Sequence, residues 1–401
     1  MTEIFDSIED ALKDFSIGKP IIIADDEDRE NEGDLICSAQ FANADIINFM
    51  SKECRGLICI AITKQRAQEL QLPQMVQNNT EKLRTAFTLS IDGAEKFGVT
   101  TGISAFDRAK TVEIVVNRNS KPEDLRRPGH MFPCTAKDGG VFERKGHTEA
   151  CVDIARLCGH FPAAVMCEVM LPDGTMARRD NLKDFAKIHN LKFITVEQLI
   201  NYRIVHDRIV KKEAQAFLPT KFGEFEIFGY RNEFSDVEHI AIVKNDSSDK
   251  VPMIRVHSEC FTGDVLHSLK CDCNSQLHCA METINKYGKG AVIYLRNHEG
   301  RGIGLVNKIK AYRLQELGQD TVEANISLGF DADMRDYAEA AQIIFDLNFN
   351  NFRLISNNPE KINGLKKYGL NIVDLVKIEP EINDYNKIYL ETKKTKMHHL
   401  F

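Results

Sequence analysis

The sequence predicts two mixed domains of the α/β (α+β) class, each with a central sheet and packed helices. Three observations predict this. The chain has 401 residues, a length that favours two or three domains over one. Short apolar runs alternate with stretches of helical period in both halves. A charged segment without pattern, 205–216, separates the two series. The boundary is therefore expected near residue 204, with domains at 1–203 and 204–401.

The elements follow in order. Ile4, Ile8, Leu12 and Phe15 share one helical face and open the chain. Strands are expected at Pro20–Ala24, Leu57–Ile62, Thr111–Val116 and Ala164–Met170, where β-branched and apolar residues run together. Helices are expected at Ala44–Lys52 and Asn181–His189, then a short strand and a helix across Lys192–Arg203. The second series has strands at Gly223–Arg231, His239–Lys244, Met253–His257, Ala291–Arg296 and Phe352–Ser356. Its helices are expected at Ser275–Tyr287, Leu305–Leu317 and Met334–Leu347. Spacing alone does not order either sheet.

Composition excludes several classes. An apolar fraction of 43% with 28% charged residues suits a soluble globular chain and not a disordered one. The longest apolar runs, such as Leu57–Ile62, are far short of the ~20 residues a membrane helix needs. No membrane partner is expected. The N-terminus is acidic and amphipathic with no basic flank, so it reads as neither signal nor transit peptide, and a cytoplasmic location is expected. Residues 1–203 carry 26 basic and 31 acidic side chains, and residues 204–401 carry 26 and 28. Neither half is basic, so no nucleic-acid partner is expected.

Eleven cysteines in such a compartment are expected to be reduced. Seven stand singly (Cys37, Cys54, Cys59, Cys134, Cys151, Cys158 and Cys167) and read as small buried hydrophobes. The other four, Cys260, Cys271, Cys273 and Cys279, crowd into twenty residues and need another explanation.

In the first half the strongest local signal is DDEDRENEGD, Asp25 to Asp34, where seven of ten residues are acidic around Arg29. It follows an apolar strand, and strand carboxyl ends are common ligand sites. Clustered carboxylates repel, so a hard cation such as magnesium would hold them together. A solvated charged loop is the plainer alternative. RRPGH (Arg126–His130) and RKGHTEA (Arg144–Ala150) each offer cations, a glycine and a histidine. These suit phosphate binding and proton transfer near neutral pH; a turn with a surface histidine is the alternative.

Together with RTAFTLSID (84–92) and GVTTGISAFDRA (98–109), these motifs resemble 3,4-dihydroxy-2-butanone-4-phosphate synthases over about residues 5–203. The resemblance implies conversion of ribulose 5-phosphate to formate and L-3,4-dihydroxy-2-butanone 4-phosphate, with magnesium or manganese. It implies that Glu30 and His147 hold the metal. Arg29, Glu30, Asp34, Arg144, Lys145, Gly146, His147, Thr148 and Glu168 would contact the sugar phosphate. Glu32, His130 and Glu168 would be catalytic. A homodimer is also implied, with this site built from both subunits. Lys145 and Cys134 depart from the commoner small or apolar residues there.

In the second half, Cys260, Cys271 and Cys273 form C-x10-C-x-C. Three thiolates bind zinc, and the fourth position sets the class. Cys279, His257, His267 or His278 would make the site structural; water would make it catalytic; buried cysteines without metal are the third reading. The turn EGRGIGL places Gly300, Gly302 and Gly304 after a strand. It lacks the lysine–serine or lysine–threonine pair of a P-loop and fits a dinucleotide fingerprint poorly, although Asp320 lies about 20 residues on. A phosphate-cradling turn suits it better. In DADMRDY, Asp333 is expected near a helix N-terminus, where it could cap.

RVHSECFTGDV, CDCNSQL, EGRGIGL, DTVEAN, the Asp333–Arg335 pair and SNNPEK together resemble GTP cyclohydrolase II across about 215–395. The resemblance implies hydrolysis of GTP to 2,5-diamino-6-(5-phosphoribosylamino)pyrimidin-4-one, formate and pyrophosphate. It assigns Cys260, Cys271 and Cys273 to a zinc ion with water in the open position, and magnesium to the GTP phosphates; Cys279 then joins the buried class. Arg255, Val256, His257, Ser258, Glu259, Gln276, Glu299, Gly300, Arg301, Thr321, Ser356 and Lys361 would bind GTP. Asp333 would accept a proton, Arg335 would act at the α-phosphorus, and Tyr312 would stand near the phosphates or the ring. Asn274, Ser275 and Ser356 depart slightly from the commoner residues. The two resemblances imply one bifunctional riboflavin-biosynthesis enzyme. The alternative is one active half joined to a domain that only binds. A zinc-stabilised nucleotide sensor and a nicotinamide-dependent oxidoreductase are rivals from other classes.

Overall fold

The computed structural model describes residues 5–395 except 235, 247, 248, 332 and 334. It contains two compact units, 1–203 and 204–401. Each is built on a mixed seven-stranded sheet, which is the expected fold class. No helix among the described residues is long and apolar enough to cross a membrane.

The first unit has strands β1 (Ile21–Ala24), β2 (Gly33–Ser38), β3 (Cys59–Thr63), β4 (Ile91–Gly93), β5 (Leu125–Ala136), β6 (Ala163–Glu168) and β7 (Lys192–Thr195). Their order is β4-β5-β3-β6-β2-β1-β7. Both faces are covered, so β1 is buried at every position, with Ile22 in one core and Ile21 and Ile23 in the other. The helix Ile8–Ser16 begins at Ser7, whose side chain accepts from Asp10 N, and buries Ile8, Ala11 and Phe15. Ile4 lies outside the described residues.

Two expectations fail here for physical reasons. Thr111–Val116 is not a strand but the end of a helix, Ala105–Val116. Ser104 caps it by accepting from Asp107 N at 3.0 Å, and Thr111, Val112, Ile114 and Val115 are buried. Packing outweighs the β-preference of those residues. RRPGH is not a turn; it runs within β5. Gly129 allows this, because a Cβ there would lie 2.0 Å from the Ile91 carbonyl carbon.

The second unit has β8 (Val210–Thr220), β9 (Gly223–Asn232), β10 (Glu238–Asn245), β11 (Met253–Ser258), β12 (Lys289–Leu295), β13 (Asn351–Ile355) and β14 (Asn371–Val376). Their order is β14-β13-β11-β12-β10-β9-β8. The segment read as patternless is the edge strand β8, mostly exposed and paired only to β9. Residues 211–217 are exposed on both faces, so the strand carries no apolar alternation, which explains the misreading. β12, β11, β13 and β14 run parallel. The expected helix at Met334–Leu347 spans only Ala338–Asp346; Met334 lies outside the described residues.

Candidate active sites

In the first unit the acidic turn joins β1 to β2 and is organised by Asp25. This buried carboxylate accepts from Glu30 N (3.1 Å) and Glu32 N (3.0 Å), and from Arg29 Nη1 (2.7 Å). Arg29 also lies 3.1 Å from Glu30. The turn therefore closes around its own first acid instead of splaying into solvent. Arg178 secures it from outside by donating to the carbonyls of Glu30 (2.8 Å) and Asn31 (2.5 Å).

The helix His147–Leu157 begins at Gly146 and presents His147 to this turn. His147 Nδ1 is 3.3 Å from Glu30 and 3.9 Å from Asp34. Burial opposes protonation of His147, but Asp34, Glu30 and Asp25 outweigh it and raise its pKa to about 9. Burial pushes Asp34 up to about 7, helped by Glu168 and Glu30. Burial also raises Glu32. It acts the same way on Glu30, but His147 and Arg29 overcome it and lower that pKa. One ligand atom each from Asp25, Glu30 and His147 lies within 4.8 Å of the others. Asp34 Oδ1 and His147 Nε2 are buried without a hydrogen-bond partner. Once His147 gives up its proton, Nε2 joins Asp34 Oδ1 as a second open acceptor, a pair that suits a cation.

Asp34 pairs across the sheet with Glu168, whose Oε2 accepts from Leu57 N at 2.9 Å. Arg144 donates to Glu149 (2.6 Å) and Thr85 (3.0 Å), while Lys145 is exposed and Thr148 buried. His130 stands apart from the turn. It lies on β5, which β3 and β6 separate from β2, roughly 14 Å at three strand spacings. Its Nδ1 is 2.8 Å from Asp92 Oδ2 and its side chain is 44% exposed.

In the second unit β11, β12 and β13 end side by side, and each is followed by one motif: Ser258–Cys260, Glu299–Gly304 and Ser356–Lys361. This is where open α/β sheets bind ligands. The motifs share one open cavity with about 1160 Å³ of empty space. All the residues proposed for GTP and zinc line it except Val256, whose carbonyl accepts from Lys361 Nζ at 2.6 Å. Tyr312 and Arg335 line it as well, but Asp333 does not.

Sγ atoms of Cys260, Cys271 and Cys273 lie within 4.8 Å of one another. A Cβ on Gly263 would fall 2.8 Å from Cys271 Sγ and 3.0 Å from Cys260 Sγ, so glycine leaves room in the thiol cradle. Cys279 is exposed and not buried as expected; it sits on the helix Cys273–Tyr287 beyond the turn that faces the cavity. Hydrogen bonding from Cys271 and Cys273, with Lys308 nearby, drives the Cys260 pKa far down. Lys308 donates to Cys260 Sγ (3.1 Å), Thr262 (2.8 Å) and Glu299 (2.5 Å). Tyr312 OH lies 3.1 Å from that same threonine hydroxyl, and burial raises its pKa. His257 sits 3.1 Å from Asp264, which also accepts from Tyr294 OH and Cys260 N.

Gly300, Gly302 and Gly304 all have positive φ (61°, 94° and 81°), which explains their spacing. Asp320 is spent capping the helix Thr321–Ser327, accepting from Val322 N and Glu323 N, which removes the acid of a dinucleotide fingerprint. Asp333 is no cap. Its Oδ1 accepts from Arg335 N (3.1 Å) and Nε (2.8 Å), whereas Asp336 accepts from Ala338 N at the next helix. Burial would raise the Asp333 pKa, but Arg335 outweighs it and lowers it. Arg335 is itself held protonated by Tyr337 and Asp333 against burial. Sequence reasoning missed Asp25, Asp264, Lys308, Asp272 and Lys393. Asp25, Asp264 and Asp272 stood inside the quoted motifs without being singled out, whereas Lys308 and Lys393 act through contacts distant in sequence.

The family model described as 3,4-dihydroxy-2-butanone 4-phosphate synthase matches residues 9–202, and that for GTP cyclohydrolase II matches 211–377. A riboflavin biosynthesis protein RibBA of Synechocystis is 55% identical over 399 residues, covering 99% of this chain and 72% of the relative. Its counterpart from Aquifex aeolicus is 51% identical, covering 99% and 98%. The crystal structure of RibBX from A. baumannii, described as a two-domain 3,4-dihydroxy-2-butanone 4-phosphate synthase, is 33% identical with a TM-score of 0.69, covering 94% of this chain and all of that one.

Proposed function

The chain belongs to the family of bifunctional riboflavin biosynthesis proteins, with 3,4-dihydroxy-2-butanone 4-phosphate synthase and GTP cyclohydrolase II domains, and from that premise we propose how its residues divide the work. Residues 1–203 turn ribulose 5-phosphate into formate and the four-carbon phosphate. Residues 204–401 hydrolyse GTP to the diaminopyrimidinone, formate and pyrophosphate.

In the first unit Glu30 and a deprotonated His147 would hold magnesium or manganese, and the open Asp34 and His147 atoms support that fit. The cation supplies charge that polarises the ketose carbonyl. Asp34, with a pKa of about 7, exchanges protons near neutral pH, and Glu32, raised by burial, is the further acid/base. Asp92 orients His130 through Nδ1 and leaves Nε2 to shuttle a proton. The phosphate lies with Arg29, Arg144, Gly146 and Thr148 at the N-terminus of the helix His147–Leu157, where backbone N–H groups favour anions. Glu168 stands beside Asp34 and Lys145 at the rim. The distance of His130 from the turn supports a homodimer in which one subunit's His130 serves the other's site.

In the second unit Cys260, Cys271 and Cys273 would hold zinc, and the glycine-lined cradle supports the fit. Zinc held there would supply Lewis-acid activation of water for opening the imidazole ring. Arg255, Arg301, Lys361 and the Ser356 hydroxyl meet the nucleotide, with magnesium on the triphosphate. Asp333, ionised beside Arg335, accepts a proton. Arg335 stays cationic and stabilises charge at the α-phosphorus, because a guanidinium so held does not deprotonate. Cytoplasmic location fits both reactions.

One observation carries this reading: three thiols converge in the same cavity as Arg255, Arg301, Arg335 and Lys361. The test is formate release from ribulose 5-phosphate with magnesium, and separately from GTP. No formate above background from one substrate removes that half of the proposal.

A further inference from the structure

The helix Lys387–Thr395 lies beyond the span matched by the cyclohydrolase family model, yet its Tyr389 and Lys393 line the nucleotide cavity. Lys393 donates to Asp272 Oδ1 at 2.7 Å, and the Asp272 side chain is fully buried. Asp272 stands in the chain between Cys271 and Cys273. Its Oδ2 accepts from Gln276 Nε2 at 2.5 Å. Gln276 Oε1 accepts from Arg255 Nη2 at 2.5 Å, and Arg255 Nη1 donates to the Ile355 carbonyl at 3.0 Å. A continuous relay thus runs from this helix across the cavity floor to the end of β13.

We propose that Lys393 is a positioning residue for the nucleotide reaction, acting through Asp272 on Gln276 and Arg255. This rests on reading the cavity as the GTP site. An amide side chain has two orientations. With Nε2 tied to Asp272, the Gln276 oxygen must face Arg255, so one orientation is selected. Lys393 is the cation that neutralises Asp272. Without it, a buried carboxylate is left uncompensated beside two thiolates, a costly state. Asp272 then draws on the nearest buried cation, Arg255, and the Gln276 amide loses its fixed orientation. The loss falls on nucleotide binding more than on the chemical step. The Tyr389 ring supports the ammonium, with its centroid 4.4 Å from Lys393 Nζ.

The experiment uses the full-length, zinc-loaded protein. Lys393→Met is expected to raise KM for GTP about tenfold or more while kcat stays within about threefold, the signature of lost binding contacts. Affinity for a non-hydrolysable GTP analogue falls by the same factor. Lys393→Arg restores KM to within about threefold, because it keeps the charge and the donor. A chain shortened after Asn386 shows at least the KM increase of Lys393→Met. Zinc content and formate release from ribulose 5-phosphate stay unchanged in all three. The proposal is overturned if Lys393→Met and the shortened chain both keep KM within about twofold of the parent, or if zinc is lost along with binding. A fall in kcat alone also overturns it. A parent protein that releases no formate from GTP overturns the reading of the cavity and this inference together. A parent that does so, with an indifferent Lys393→Met, overturns the positioning role alone.

Discussion

The two units solve opposite electrostatic problems with the same class of fold. The first gathers acids on one turn, Asp25 to Asp34, and relieves their repulsion with Arg29, Arg178 and, without metal, a protonated His147. The second gathers cations around a cavity, Arg255, Arg301, Arg335 and Lys361, and relieves theirs with Asp333, Asp272 and a thiolate. The first site is local in sequence: one turn and one helix start hold most of it. The second is assembled from three strand ends and five helices spread over residues 255–393. A local site is exposed to single changes in its turn, whereas a distributed site fails through the links between its segments.

The sharpest break of this comparison is Cys271→Ser. It is expected to remove zinc and lower GTP turnover by more than about a hundredfold, while ribulose 5-phosphate turnover stays within a few-fold. Metal content and the two formate assays check it; loss of both activities would show that the cluster holds the whole chain together. The mirror change, Glu30→Gln, is expected to lower ribulose 5-phosphate turnover by about a hundredfold and leave GTP turnover intact. Next comes Asp25→Asn. Because Asp25 accepts from Arg29 and from two backbone amides of the turn, the loss in the sugar-phosphate reaction is expected at about 10–100-fold, with weaker metal binding measured by titration.

These predictions separate what the sequence made legible from what it did not. The acidic turn could be read because its residues are contiguous and follow an apolar strand. Cys260, Cys271 and Cys273 could be read as a metal set, but not whether Cys279 belonged with them. That required the direction in which the helix Cys273–Tyr287 turns its face. Lys308 was invisible, because nothing near it in sequence announces a contact with Cys260. Strand β8 was lost for the opposite reason: an exposed edge has no apolar period to find. The helix Ala105–Val116 was misread because tertiary burial, and not intrinsic preference, decides the state of Thr111–Val116.

Lys308→Met probes such an unannounced contact. Lys308 bridges Cys260, Thr262 and Glu299, so its removal takes a donor and a charge from the thiolate. GTP turnover is expected to fall by about tenfold, with zinc retained at saturating metal. Complete zinc loss would make Lys308 a structural support of the cluster and not a partner of one thiolate.

The smallest effect concerns acid. His298 lies in the cationic unit, and burial together with Arg335 and Lys361 lowers its pKa to about 3, from an ordinary 6.5. Between those values the unfolded chain takes up a proton that the folded unit refuses. Stability contributed at neutral pH is therefore lost as pH falls from 6.5 towards 3, by at most about 1.4 kcal/mol per pH unit. His298→Gln removes the titrating group while keeping a polar side chain toward Ser258. In urea unfolding between pH 7 and pH 4, followed by a probe in residues 204–401, the variant is expected to lose stability less steeply than the parent. Parallel slopes would show that the surrounding cations do not hold His298 neutral. The acidic unit, free of metal, supplies the contrast, since its buried His147 is then held protonated by Asp34 and Glu30 and gains no proton over that range.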